Sequence, residues 1–306
     1  ITLNAAKSSP PISSKTPISI IARHILQYAS NIEEAYNLAK GLDAFVSESL
    51  LIGSAADGKA AIIEKSPDGT FLYETTGEMI ISTNHFQSEN FSKNPKNIDA
   101  VKSIEGSHSQ YRFKRLTELI AQKTPLDPEK SAWILRNPYG LQNKSIGWGN
   151  EKSVNQFIAH HAVIFQPEKR IMWVSTAPWQ LGKMVAYDLN EVFAKKDYAS
   201  GADIPDLAID ADSVAIASIA PAITRYRLLL QGIKNNIKVK SPLKPSEIEN
   251  LVKLNPDYYH TYELLGDYYK KMGDEPKAKE MYILALNREI PYLSDRNSIV
   301  KKLNSK

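Results

Sequence analysis

The run from Glu48 to Lys65 restricts this chain more than any other feature. Glu48 to Ser54 and Ala60 to Lys65 are rich in aliphatic residues, and Asp57-Gly58 lies between them. Asp-Gly tolerates the positive φ that a tight hairpin turn demands, so the two runs predict paired antiparallel strands. A second turn, Ser66-Pro67-Asp68-Gly69, predicts another strand over Phe71 to Thr75, and Met79 to Thr83 reads as the next. Upstream, Ile1 to Ala6 reads as a strand. Ile18 to Tyr28 reads as a helix with Ile21, Ile25 and Leu26 on one face. Ser30, with Glu33 three residues on, predicts a capping box for a helix that runs to Lys40 and stops at Gly41. Helices beside a largely antiparallel sheet make an α+β fold.

Beyond Asn84 the chain is polar up to Ser109. A helix is expected from Tyr111 to Gln122, with Ser109 as its cap, and another from Leu126 to Leu135. Gln156 to Phe165 and Arg170 to Ser175 read as strands around the turn Gln166-Pro167-Glu168-Lys169, and Met184 to Asp188 as the last strand. Composition shifts near Lys195. Four helices are expected from there: Ala220 to Asn235, Pro245 to Leu254, Tyr258 to Met272 and Pro276 to Glu289. Asn255-Pro256, Gly266, Gly273-Asp274, Ala278, Tyr282 and Ala285 resemble one tetratricopeptide repeat, in which small residues let two antiparallel helices approach. The expected organisation is therefore a main domain over 1–195, a linker and helix over 196–243, and a tetratricopeptide-like segment over 244–306 that offers a surface to a protein partner.

Several chemistries are excluded or disfavoured. The chain has no cysteine, which removes disulfides, thiolate metal sites and a thiol nucleophile within these 306 residues. A net charge of +4 without a basic block argues against nucleic acid. No apolar run reaches the roughly 18 residues of a membrane span. Gly53-Ser54-Ala55-Ala56-Asp57-Gly58-Lys59-Ala60 approaches a phosphate-binding loop. It ends on Ala60, not on a hydroxyl residue, and a strand follows it where that motif needs a helix. His160-His161 would point to opposite faces of a strand and could not share a metal. No metal and no cofactor is expected.

Three sets of residues remain. Thr83-Asn84-His85 ends a predicted strand, where a carboxamide can donate to a developing oxyanion or simply shape a turn. Arg112 falls in the first turn of its helix, where the dipole disfavours a cation, so a partner elsewhere or solvation must compensate it. Trp148 and Trp179 could line an acyl pocket or anchor their loops.

Taken in order, these pieces resemble the acyl-coenzyme A:6-aminopenicillanate acyltransferase family of N-terminal-nucleophile hydrolases, cousins of the bile-salt and penicillin V acylases. The resemblance runs from Ile1 to about Asp188. It is carried by Leu3-Asn4-Ala5, Pro17-Ile18-Ser19-Ile20-Ile21-Ala22-Arg23, Leu51-Ile52-Gly53, Ile63-Glu64, Ile81-Ser82-Thr83-Asn84-His85 and Ser109-x-x-Arg112-Phe113. It implies an αββα sandwich and an amino-terminal cysteine, freed by self-cleavage, whose α-amine is the general base. An α-amine with a pKa of about 8 suits that task. By resemblance Asn84 donates to the oxyanion, Asn4 is a second asparagine near the tetrahedral intermediate, and Arg112 orients the nucleophile's surroundings. His85 follows the family pattern without an assigned role.

The matching cysteine would lie upstream of Ile1, so the sandwich is expected to be incomplete at its amino end and to need an amino-terminal segment of the same protein. The expected activity is an amidohydrolase or acyltransferase acting on a linear amide C–N bond of a small molecule. The alternative is a non-catalytic binding or scaffold protein that works through its helical tail. Relatives with such a tail suggest a bacterial, exported protein.

Overall fold

The computed structural model describes residues 1–8, 15–194 and 201–305. It divides into two compact units, residues 1–117 with 167–169, and residues 118–166 with 170–306.

The first unit is built on the predicted hairpin. Strands β1 (Thr2–Ala5), β2 (Glu48–Ser54), β3 (Lys59–Ser66) and β4 (Gly69–Tyr73) form one antiparallel sheet in the order β1-β2-β3-β4. Gly58 takes the positive φ that the β2–β3 turn requires. Helices α1 (Ile18–Tyr28) and α2 (Ile32–Lys40) cover one face of this sheet. Their Ile21, Ile25, Ala35 and Ala39 pack with Leu50, Ile52, Ala61 and Ile63. Period-2 alternation then turns Asn4, Ser49 and Glu64, which pair across the strands, to the opposite face. The cap of α2 sits one residue later than expected. Asn31 Oδ1 accepts from Glu34 N at 2.8 Å, while Ser30 N donates back to Glu34 Oε2 at 2.7 Å.

One predicted strand does not form. Residues 79–83 join no sheet. Side chains meet this segment in place of a strand ladder: Gln87 Nε2 donates to Ile81 O at 2.7 Å, and Asn4 Nδ2 to Ser82 O at 3.3 Å. After it come the short helices α3 (Glu89–Ser92) and α4 (Ile98–Ile104), then the long α5 (His108–Lys123). Ser109 lies inside α5, not at its cap. The capping bond comes from Ser107, whose Oγ accepts from Gln110 N at 3.1 Å.

The second unit holds α6 (Pro128–Leu135) and a three-stranded antiparallel sheet of β5 (Val163–Gln166), β6 (Ile171–Ser175) and β7 (Met184–Asp188). Only the end of the predicted strand over 156–165 forms. Asn155 Oδ1 accepts from Phe157 N at 2.9 Å, and Phe157 has φ of 54°, a turn that no strand can absorb. His160 and His161 are exposed on this irregular stretch. Among the described residues no group of metal-ligating side chains assembles.

Helices α7 (Leu189–Ala194), α8 (Ser213–Val239), α9 (Pro245–Leu254), α10 (Tyr259–Met272), α11 (Glu275–Leu286) and α12 (Leu293–Asn304) follow. Helices α7 and α12 lie outside the four expected segments, and α8 starts seven residues before the expected Ala220. Helices α10 and α11 meet closely because Gly266 has no side chain: a methyl there would fall 2.4 Å from the Tyr282 ring. Contrary to the expectation that no run reaches membrane-spanning length, helix α8 is long and apolar enough to cross a membrane by length and composition alone. It carries Arg225 and Arg227, and its Tyr226 and Ile233 pack with Leu251, Leu264 and Leu265 of α9 and α10.

Candidate active site

The polar face of the first sheet lies under the segment 82–88. Glu64, fully buried, organises one end of that segment. Its Oε1 accepts from Gln87 N, at short range, and from Ser88 N at 3.0 Å, while its Oε2 accepts from Ser88 Oγ at 2.5 Å. Burial pushes the Glu64 carboxyl above its ordinary pKa, against the pull of these three donors. In the sequence Glu64 stands only as part of the hairpin. The available signal was a carboxylate within the apolar run Ala60-Ala61-Ile62-Ile63, where a charge is retained only if it is bonded.

The other end of the segment carries the expected site residues, and the first unit brings all three together. Asn4, on β1, donates from Nδ2 to Ser82 O and Ser82 Oγ, both at 3.3 Å. Asn84 donates from Nδ2 to Ala5 O at 3.0 Å. Arg112 Nη2 donates to Asn84 Oδ1 at short range, and its Nη1 lies 2.8 Å from His108 Nδ1. Because α5 begins at His108, Arg112 is its fifth residue, past the first turn where the dipole opposes a cation, and its partners are Asn84 and His108. It is buried, as are Ser109 and Arg115 on the same face of α5.

This arrangement fixes the sense of the Asn84 amide. A guanidinium offers only donors, so the Asn84 atom facing Arg112 must be the oxygen. The NH2 group then points away, with one hydrogen on Ala5 O and the second left for another acceptor. Beside it, His85 Nδ1 lies 2.8 Å from Ser109 Oγ and 3.1 Å from Thr83 Oγ1, and Ser109 Oγ donates to Thr83 Oγ1 at 3.2 Å. Burial first, and the Arg112 charge second, hold the His85 pKa below the ordinary imidazole value. A neutral ring follows at neutral pH. The cluster thus supplies an oriented amide donor, a fixed cation behind it and a neutral imidazole, a set suited to stabilising negative charge on oxygen.

Trp148 and Trp179 belong to the second unit. Both stack edge-on against Phe157, with ring centroids 6.2 and 5.5 Å away. The Arg227 guanidinium lies 5.5 Å from the Trp179 ring centre. Asn255 clamps the Trp148 backbone, accepting from its N at 2.9 Å and donating to its O at 3.0 Å. Phe157 lines a cavity of about 620 Å3 together with Trp133, Arg136, Tyr139, Leu181 and Asp212. The two tryptophans buttress the Phe157 ring of that wall.

Residues 1–178 match the family model described as acyl-coenzyme A:6-aminopenicillanic acid acyl-transferase. No curated protein and no solved structure matches the chain. The matched span covers more than half of the 306 residues and contains Asn4, Asn84 and Arg112. This chain belongs to the acyl-coenzyme A:6-aminopenicillanic acid acyl-transferase family, a family of acyl-transfer enzymes.

Proposed function

We propose that this protein cleaves or forms a linear amide C–N bond through an acyl-enzyme, and that the first unit holds its oxyanion site. The observation that carries this reading is the bond from Arg112 to Asn84 Oδ1, which leaves the Asn84 NH2 group as an aimed donor. In this reading the nucleophile is a cysteine thiol, which these 306 residues do not contain. Its thiolate attacks the amide carbonyl, and the carbonyl oxygen becomes an anion in the tetrahedral intermediate. The amine then leaves with a proton, and water or a second amine releases the acyl group from the thioester. Asn84 donates to that oxyanion. Asn4 holds Ser82 and, once turned from it, offers a second donor. Arg112 is the positioning residue that keeps the Asn84 amide in its productive sense.

The test is intact-mass spectrometry of the full-length protein mixed with an acyl donor. A cysteine-linked acyl adduct, removed by hydroxylamine, is expected. Asn84→Ala should lower kcat by about 10²–10³-fold, or about 3–4 kcal/mol of barrier, as for loss of an oxyanion donor. Arg112→Gln should also lower kcat, with KM little changed. Absence of the adduct, or unchanged kcat in Asn84→Ala, would overturn the proposal and return the protein to a binding role.

A further inference from the structure

The helix-covered face of the first unit contains a second polar feature, separate from the Asn84 cluster. A cavity of about 430 Å3 opens beside the end of α2 and the β3–β4 turn. Its lining carries three ammonium groups, Lys15, Lys40 and Lys65, and a single carboxylate, Asp43. Asp43 Oδ2 is engaged by Lys15 Nζ at 3.0 Å, which leaves Lys40 and Lys65 as excess charge.

Lys65 is the unusual member. It is 3% exposed, whereas Lys15 and Lys40 are exposed at the mouth. Its Nζ donates to Thr70 Oγ1 at 2.6 Å, and no carboxylate among the described residues pairs with it. An ammonium has three hydrogens to donate, and only one is satisfied here. Burial lowers the Lys65 pKa, and Asp43, whose carboxylate is bridged to Lys15, opposes that shift only by attraction of its charge without a salt bridge. Chains retain such a group where it meets something. Here it borders a cavity, with a hydroxyl and a second lysine beside it.

We propose that this cavity is a binding site for a small anion of the phosphate class, held by Lys65, Lys40 and Thr70. The lining's net excess of two ammonium charges matches the two negative charges of a phosphate or phosphate monoester at neutral pH. Lysines bind such groups as point charges, and the Thr70 hydroxyl adds a donor once Lys65 turns to the ligand. The site is independent of the acyl-transfer reading and would stand if that reading failed.

Calorimetric titration of the intact protein with inorganic phosphate, at constant ionic strength with chloride, tests the assignment. A parallel titration uses glycerol 3-phosphate. Saturable binding is expected, weakened about 30-fold or more in Lys65→Met, which keeps the aliphatic stem and removes the charge. Lys40→Gln should weaken it severalfold. Tighter binding of the ester would mark the phosphate group of a larger molecule as the ligand, and tighter inorganic phosphate the free ion. In phosphate-free buffer Lys65→Met should unfold at the same or a higher temperature, because it removes an unpaired buried charge. Should that variant fail to fold, phosphate should still slow acylation of Lys65 in the unaltered protein, read by peptide mass spectrometry. No saturable binding, equal binding by Lys65→Met, or no protection of Lys65 would each overturn the proposal.

Discussion

One buried region in each unit shows a contrast in chemistry: the layer beneath residues 82–88 in the first, and the helical end of the second. Beneath the 82–88 segment the first unit buries Glu64, Ser49, Thr83, Ser88, Ser109, Arg112 and Arg115. The helical end of the second buries Leu251, Leu264, Leu265, Ile299, Tyr259, Tyr262 and Tyr282, with each hydroxyl of those tyrosines that bonds turned to a rim group. Examples are Tyr259 to Asp295 at 2.9 Å and Tyr282 to Asp267 at 2.8 Å. Burying polar groups brings little net stability even when every bond is made, whereas apolar packing contributes with each area removed from water. The first of these regions is therefore organised for orientation and the second for cohesion. Substitutions should separate the two: shape changes should hurt the second most, and loss of bonding partners the first.

The largest effect on stability is expected at Gly147. A methyl there would fall 2.4 Å from Tyr258 Cα, and φ is +84°, a conformation that only glycine adopts easily. Gly147→Ala should cost about 3 kcal/mol, read by urea unfolding. A loss below about 1 kcal/mol would show that the Tyr258 contact yields, and that the second interior is less tightly built than its packing implies.

Next comes Glu64→Ala, which strands Gln87 N, Ser88 N and Ser88 Oγ at once. A loss of about 2 kcal/mol is expected, with activity falling too because residues 82–85 lose their anchor. Glu64→Gln should lose less, since Oε1 can still accept from both backbone N–H groups. Equal losses in the two variants would mean that the negative charge, not the bonding, is what the first interior requires.

The smallest effect concerns pH. The folded pKa of His85 lies below the ordinary imidazole value near 6.5 that applies to the unfolded chain. The unfolded state then binds the proton first. Stability should be full above that ordinary value and decline as pH falls through it towards the folded pKa. His85→Gln should flatten that part of the stability profile, and NMR titration should show the His85 ring more than half neutral at pH 6.5. An unchanged slope would place the acid sensitivity elsewhere.

The elements that local pattern could specify were legible. Helix α1 and strand β2 fall where the periodicity and the Asp57-Gly58 turn put them, because both signals act within a few residues. Met79 to Thr83 has the composition of a strand. Its pairing needs a neighbour at sheet distance, and only the folded chain could show that none is present. The same limit hid Ser109, whose hydroxyl serves Thr83 and His85 and not a helix cap. Residue types that bond over long separations carry no sequence signal of their partners.

By itself the sequence determined an α+β chain with its hairpins and helices in order, and it singled out Asn4, Asn84 and Arg112. Tertiary structure decided that these three share one cluster, because Asn4 and Asn84 are 80 residues apart in sequence and Arg112 a further 28. It also decided which way the Asn84 amide points. That choice depends on a guanidinium that can only donate, delivered by one face of a distant helix. The excess of positive charge around Lys65 is likewise a tertiary fact. A lysine in a strand acquires meaning only when the fold encloses it beside an open cavity.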